Sequence, residues 1–241
     1  MLKRKPDITE LNDVAHVWYC AFSKSQSKLP EFELLLSKDE KKRAANFKFK
    51  KDRNSYIISR GILRALLGSY LGLSPTEIEF EYTSYGKPYL SHNPLNFNVS
   101  HSGDMAAFAF FLESEIGVDI EKIKDDFDAL ELARHFFSKN EIESLEKQPR
   151  AELSRAFYRC WTRKESIIKA EGSGLSFPLN KFTVSLDNDH QATLAATDWE
   201  ATEKSKWSLF SFVPQEHYIM AIATRKKNTT VQYFNWHTIQ V

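Results

Sequence analysis

The sequence predicts an α+β fold. Strand patterns and helix patterns occur along the whole 241-residue chain, and neither kind is confined to one end. Two small, almost wholly apolar strands recur, MAAFAFF at 105–111 and YIMAIAT at 218–224, one in each half of the chain. Their similarity is consistent with two halves of related structure.

In the first half, DVAHVWYCAF (13–22) is rich in Val, Trp, Tyr and Phe, which predicts a strand. Ser37 and Glu40 form a capping-box pattern, so a helix is expected to begin at Ser37. Residues 52–72 place apolar side chains at helical spacing, and Gly72 suits the end of that helix. A strand is predicted at 78–82, a turn at 86–88, and a strand–turn–strand unit over 96–111, with the turn at 102–104.

In the second half, IGVDIEKI (116–123) predicts a buried strand. Residues 130–147 predict one or two helices, with a second capping box at Ser138 and Glu141. Residues 151–172 predict a long helix that Gly172 and Gly174 end. The segments KFTVSLD, QATLAA, KWSLFSFV and HYIMAIATR predict strands beyond it.

The charge balance and the cysteine count limit the possible functions and cellular compartments. The chain has 33 basic and 32 acidic residues, a formal charge of +1, so a general nucleic-acid binder is not supported. The two cysteines cannot form a disulfide framework, which favours the cytoplasm. We expect no signal peptide and no membrane partner, because no apolar run approaches the ~20 residues that a bilayer requires.

Two carboxylates in GVDIE (117–121) are the first candidate for chemistry. Asp119 and Glu121 are two residues apart on a strand, so their side chains share one face. Such neighbours repel each other unless a cation lies between them, and Mg²⁺ prefers oxygen ligands. An acidic, solvated strand face explains the pattern equally well.

The helix over 151–172 supplies a second set. Glu165 and Lys169 are four residues apart and lie on one side of the helix, where an ordinary surface ion pair is the simpler explanation. Lys164 falls within the apolar stripe of this helix, so its ammonium must reach solvent or find an anion.

Polar and basic residues elsewhere could contact phosphate. Asn98, Ser100 and His101 precede a turn, and their amide, hydroxyl and imidazole groups suit phosphate oxygens. Arg43 lies in a basic helix turn and Lys87 in the turn at 86–88. Polar loops and solvated helix faces account for these residues when each is taken singly.

The order GKPYL, FNVSHSGD, IGVDIE, FFSKNE, WTRKESIIKAEGSGLS closely resembles the Sfp-type 4′-phosphopantetheinyl transferases over about residues 41 to 185. The resemblance implies two α+β halves related by a pseudo-twofold axis, with the boundary near residue 113 and coenzyme A in the cleft between them. We therefore expect an N-terminal half (1–112) and a C-terminal half (113–241) in a monomer.

The resemblance also implies roles for single residues. Asp119, Glu121 and Glu165 match the acidic Mg²⁺ ligands, and Lys169 matches a lysine near the transferred phosphate. Glu165 and Lys169 are therefore the expected catalytic residues. The residues expected to bind coenzyme A are Arg43, Lys87, Asn98, Ser100, His101 and Lys169.

The implied reaction moves the phosphopantetheine arm of coenzyme A to a serine of an apo acyl or peptidyl carrier protein and releases 3′,5′-adenosine diphosphate. The segment after Glu121, with Phe127, Leu130 and Phe136, is a candidate for carrier docking, although packing in the core is the stronger explanation for Phe136. Two alternatives remain at this point: a metal-dependent hydrolase of a nucleotide pyrophosphate, and a non-catalytic binder of coenzyme A or of carriers.

Overall fold

A computed structural model of the chain describes residues 7–172, 177–200 and 202–239, and it confirms the α+β class. The helices in these ranges are α1 (Leu29–Leu35), α2 (Lys38–Ala45), α3 (Lys50–Leu71), α4 (Ala129–Phe136), α5 (Lys139–Glu146), α6 (Leu153–Glu171) and α7 (Trp236–Ile239). The strands are β1 (Val14–Ala21), β2 (Glu81–Tyr82), β3 (Pro88–Tyr89), β4 (Asn96–Ser102), β5 (Met105–Phe111), β6 (Ile116–Lys122), β7 (Phe182–Val184), β8 (Leu194–Thr197), β9 (Ser208–Phe212), β10 (Tyr218–Thr224) and β11 (Thr230–Asn235).

The first sheet has the order β11-β1-β5-β4. Strands β4 and β1 both pair antiparallel with β5, whose seven residues are all buried. The long helix α3 shares a hydrophobic core with this sheet and ends at Gly72, which has φ 67°. Strand β11 pairs with β1 in parallel, so a segment near the end of the sequence completes the sheet of the N-terminal part.

The second sheet has the order β6-β10-β9, and all its pairs are antiparallel. Helix α6 packs directly on β6 and β10. At Gly117 the contact involves backbone atoms, because a Cβ there would lie 2.0 Å from the carbonyl oxygen of Ser166. Only glycine permits this close approach of helix and strand.

Helix α6 also carries buried charges. Lys164 is fully buried, and its ammonium lies 2.8 Å from Glu141, so of the two expected outcomes it finds an anion and does not reach solvent. The same ammonium donates to the carbonyls of Leu179 and Phe182, so the charge is paired and hydrogen-bonded. Glu141 also completes the capping box of α5 with Ser138. This network holds α6 to α5 and to the start of β7.

Several local features differ from the prediction. The strand expected at 78–82 is reduced to the two residues of β2. Ser102 belongs to strand β4 rather than to the turn. The sequence pattern predicts no element after residue 225, whereas the structure has strand β11 and helix α7 there. Gly174, the second predicted helix stop, lies outside the described residues. No helix in the described ranges is both long and apolar enough to cross a membrane.

Candidate active site

The candidate site lies where the edge strands of the two sheets meet. Strands β4 and β6 belong to different sheets, yet three side chains of β4 accept hydrogen bonds from the backbone of β6. The bonds run from Val118 N to Asn98 Oδ1 (2.9 Å), from Ile120 N to Ser100 Oγ (3.3 Å) and from Lys122 N to Ser102 Oγ (3.2 Å). These three bonds satisfy the backbone N–H groups at the edge of β6 and fix the register of β6 against β4.

Asp119 is the most buried acid of the site, at 3% exposure. Its Oδ1 accepts from Ser100 Oγ at 3.0 Å and from Lys169 Nζ at 2.6 Å. Ser100 in turn accepts from Lys169 at 2.9 Å. Lys169 therefore joins helix α6 to both β4 and β6, and it pairs with the strand carboxylate.

Glu165 lies one helical turn before Lys169 and is 9% exposed. Burial raises the pKa of Glu165 to about 7, with further contributions from Asp119 and Glu121, while Lys169 opposes the rise. The three acids thus lie close enough to influence one another. A carboxyl group with this pKa can accept and release a proton near neutral pH.

Glu121 is half-buried, and its Oε2 accepts from Ser102 Oγ at 2.5 Å. Burial and the charge of Asp119 raise the pKa of Glu121, and the bond from Ser102 opposes that rise. The shared face that the i, i+2 spacing predicts therefore brings both strand carboxylates into one electrostatic environment.

Among the described residues, no group of three or more His, Cys, Asp or Glu side chains is arranged so that it could hold a metal ion. Asp119 is paired with Lys169, and Glu121 is bonded to Ser102. Two buried oxygens nevertheless fit a cation, Asp119 Oδ2 and Glu165 Oε1, because neither has a hydrogen-bond partner in the part of the chain that the structure describes. Carboxylate oxygens are the donors that Mg²⁺ prefers.

Lys87 approaches the site from the turn between β2 and β3. Its ammonium donates to the carbonyl of Lys169 at 2.8 Å and lies 3.5 Å from Glu115. Burial lowers the pKa of Lys87, and Glu115 opposes this shift. A cleft of about 410 Å³ opens here, lined by Tyr85, Gly86, Lys87, Pro88, Asn98, Val99, Glu165, Ile168, Lys169 and Gly172.

The remaining candidates lie at the edges of this region. His101 is exposed, and its ring centroid lies 6.5 Å from that of Phe22. Partial desolvation and the charge of Lys169 lower the pKa of His101, and Asp52 opposes the shift. Arg43 is exposed on α2, and its guanidinium lies 5.4 Å from the ring centroid of Tyr56. Tyr56 and Asp52 both lie on α3, one helical turn apart, so the residue that contacts Arg43 is close in the chain to the one that acts on His101.

The bond that Ser102 makes to Glu121 is not predicted from the sequence, where Ser102 is expected in a turn. Its spacing from Asn98 and Ser100 nevertheless places all three residues on one face of a strand. That spacing was the available signal. The carbonyls that bind Lys87 could not be found in this way, because backbone contacts between distant segments leave no residue pattern.

Comparisons with known proteins agree with this arrangement. The family model of the 4′-phosphopantetheinyl transferase superfamily matches residues 115–223, and that of the 4′-phosphopantetheinyl transferase N-terminal region matches 22–111. The chain is 34% identical to the 4′-phosphopantetheinyl transferase HetI of Nostoc sp. over 226 residues, 92% of each chain. It is 35% identical to the 4′-phosphopantetheinyl transferase Sfp of Bacillus subtilis over 175 residues, 72% of this chain and 77% of that one.

The chain is also similar to a mammalian protein. The mouse L-aminoadipate-semialdehyde dehydrogenase-phosphopantetheinyl transferase is 32% identical over 210 residues, covering 78% of this chain and 66% of that protein. The fold and the matches together define an enzyme of the transferase class. The chain belongs to the Sfp-type 4′-phosphopantetheinyl transferase family, which confirms the resemblance drawn from its motifs.

Proposed function

We propose that this enzyme transfers the 4′-phosphopantetheine arm of coenzyme A to a serine of an apo acyl or peptidyl carrier protein, with Mg²⁺, and releases 3′,5′-adenosine diphosphate. One observation supports the metal and the catalytic roles above the others. Asp119 Oδ2 and Glu165 Oε1 are buried without hydrogen-bond partners among the described residues, in a site that also holds Lys169. Buried carboxylate oxygens in this condition favour a bound cation.

Asp119, Glu121 and Glu165 would hold the ion, and when bound it would neutralise charge on the pyrophosphate. Mg²⁺ usually takes only one or two protein carboxylates directly, so one of the three acids would act partly through water. Glu165 is the best candidate for that role. The pairing of Asp119 with Lys169 and of Glu121 with Ser102 supports this assignment, because both strand acids are already oriented by neighbouring groups.

The chain's own residues carry the chemical steps. Glu165, directly or through water, takes the proton from the carrier serine, and its raised pKa of about 7 suits a general base. The serine oxygen forms a bond to the β-phosphorus of coenzyme A. The bond from that phosphorus to the bridging oxygen breaks, and 3′,5′-adenosine diphosphate leaves with the electron pair. Lys169 stabilises or protonates the departing group.

Five further residues would hold the nucleotide end of coenzyme A. Lys87 and Asn98 line the cleft beside Lys169, which supports their roles. Ser100 contacts Lys169 and Asp119 directly. His101 and Arg43 lie further out with exposed side chains, where a phosphate can reach them.

The carrier would dock beside Glu121, on the segment that begins at residue 123. The ring of Phe127 lies 5.7 Å from that of Tyr158. Burial raises the pKa of Tyr158, and the charge of Glu121 adds to this rise. Phe127 and Leu130 are half-buried, while Phe136 is 37% exposed and stays available for contact. These side chains would meet the carrier within reach of the acids.

We further propose a cytoplasmic monomer whose halves, 1–112 and 113–241, are related by a pseudo-twofold axis. The two family models support the division, because one ends at residue 111 and the other begins at residue 115. Each half contributes a long helix packed on antiparallel strands, α3 in the first and α6 in the second. The two halves are not fully separate, because β11 of the second half pairs in parallel with β1 of the first.

Intact-mass spectrometry tests the proposal. Candidate apo carriers are incubated with the enzyme, coenzyme A and Mg²⁺, and the Glu165→Gln variant serves as the matched control. We expect the mass of one phosphopantetheine to appear on serine, to vanish with a chelator, and to be nearly absent with the variant. Release of phosphopantetheine without any carrier would identify a hydrolase instead. Tight binding of coenzyme A without Mg²⁺-dependent transfer would indicate a binding module.

A further inference from the structure

Ser102 makes two hydrogen bonds through one hydroxyl group. Its Oγ accepts from Lys122 N at 3.2 Å and donates to Glu121 Oε2 at 2.5 Å. Ser100 does the same two residues earlier, accepting from Ile120 N at 3.3 Å and donating to Asp119 Oδ1 at 3.0 Å. One arrangement of serine, backbone amide and carboxylate is thus repeated along β4 and β6.

The carboxylates of Asp119 and Glu121 differ in the number of other groups that bind them. Asp119 is buried and also receives Lys169, whereas Glu121 is half-buried with a longer, more mobile side chain. Within the ranges that the structure describes, Ser102 is the hydrogen-bond donor found for Glu121. Lys169 and Lys124 also attract Glu121 by charge, but the hydrogen bond that directs its carboxylate comes from this one hydroxyl.

We propose that Ser102 is a positioning residue for the divalent ion. It holds Glu121 by Oε2, keeps the carboxylate turned toward Asp119 and Glu165, and thereby sets the affinity of the site. The hydroxyl is itself fixed by the backbone of β6, so its direction follows from the register of the two strands. This inference rests on the proposed function, because it takes Glu121 as a ligand of the ion.

Removal of the hydroxyl has a defined consequence. Glu121 would turn toward solvent, and each binding event would then have to order its side chain again. Groups that orient metal ligands typically contribute about 10–100-fold to metal affinity. The Ser102→Ala variant should therefore weaken ion binding by about tenfold at the lower end of that range. Transfer at saturating ion should change much less.

The test measures Mn²⁺ directly. Free Mn²⁺ is followed by electron paramagnetic resonance as it is titrated into the 241-residue protein with saturating coenzyme A. Ser102→Thr keeps the hydroxyl and should bind as the unaltered protein does. Ser102→Cys keeps the size but donates weakly, and should give an intermediate affinity. Ser208→Ala is the matched control, since this half-buried strand serine donates to the carbonyl of Lys226, remote from the acids in sequence.

Glu121→Gln separates the inference from the function on which it rests. If Glu121→Gln loses Mn²⁺ affinity but Ser102→Ala and Ser102→Cys keep it, the positioning role of Ser102 is wrong and the transferase proposal stands. If the unaltered protein modifies carriers and Glu121→Gln binds Mn²⁺ normally, Glu121 is not a ligand and the inference fails. Thermal unfolding of each variant identifies any loss of Mn²⁺ affinity that comes from misfolding. If Ser102→Ala is misfolded, the affinities of Ser102→Thr and Ser102→Cys decide whether Ser102 positions Glu121.

Discussion

Lys169 Nζ lies 2.6 Å from Asp119 Oδ1, so helix α6 neutralises a carboxylate that strand β6 buries. Replacing Lys169 with Met should lower the free energy of unfolding by about 2 kcal/mol, because the charge of Asp119 would remain buried without its partner. Urea denaturation measures the change. Lys181→Met is the control, since the Lys181–Asp198 pair is more than half exposed and its loss should cost less than about 0.5 kcal/mol. Equal losses in both variants would contradict this account.

The raised pKa of Glu165 makes stability depend on pH in the metal-free protein. The pKa rises from 4.5 in the unfolded chain to about 7 in the fold, so the folded state disfavours the ionised group. The contribution of Glu165 is therefore most favourable below pH 4.5, and it declines as pH rises toward 7. With a chelator present, Glu165→Gln should become more stable relative to the unaltered protein across this window, by up to about 3 kcal/mol. If the stability curves of Glu165→Gln and of the unaltered protein run parallel from pH 4 to 8, the raised pKa of Glu165 is refuted.

Gly117 allows strand β6 to touch the backbone of helix α6. An alanine Cβ at this position would lie 2.0 Å from Ser166 O and 2.4 Å from Ala170 N, and neither backbone atom can move without shifting the helix. Gly117→Ala should therefore destabilise the fold by about 3 kcal/mol or more. Gly72→Ala is the comparison, because Gly72 has φ 67° but open space, and its replacement should cost about 1 kcal/mol. Chemical denaturation ranks the two, and the reverse order would be inconsistent with the packing.

The Lys164–Glu141 pair is fully buried, with both side chains at 0% exposure. Either Lys164→Met or Glu141→Gln alone should cost about 3–5 kcal/mol, because each leaves a partner group without its counter-charge. The double variant should cost less than the sum of the two. A double-mutant cycle from denaturation curves measures this coupling, and strict additivity would show that the two groups do not depend on each other.

Arg43 should affect substrate binding and leave the fold unchanged, because its side chain is exposed on α2. Arg43→Ala should raise the coenzyme A concentration required for half-maximal transfer by about tenfold or more, since a charge-assisted bond contributes about 1.5–3 kcal/mol. The turnover at saturation should change little. Lys42→Ala, at the adjacent exposed position, should leave the steady-state kinetics unchanged. A similar effect from both variants would point to general charge rather than to a contact by Arg43.

Local signals in the sequence predict helices α2 to α6, several of their caps and the place of Lys164 in an apolar stripe. These features depend on residues within one or two turns of each other, so both capping boxes and the end of α3 at Gly72 follow from the pattern alone. The position of Lys164 leaves two outcomes open, contact with solvent or with an anion, and the sequence names no partner. Glu141 lies 23 positions away, and only tertiary packing brings it there.

The same limit applies to the site. The i, i+2 spacing correctly placed Asp119 and Glu121 together, whereas the i, i+4 spacing of Glu165 and Lys169 suggested a pair on the helix. The lysine instead contacts Asp119, because the burial of β6 against α6 puts that carboxylate within reach. Burial decides which of two acids a cation meets, and burial is a property of the assembled fold.

The parallel pairing of β11 with β1 has a consequence for the order of folding during synthesis. Ribosomes release the chain from its N-terminal end, so β1 leaves the exit tunnel long before residues 230–235 exist. Until they do, one flank of the first sheet lacks its neighbour and is open to any extended segment nearby. A nascent chain of this protein would therefore gain from a chaperone that shields β1 until translation has almost finished.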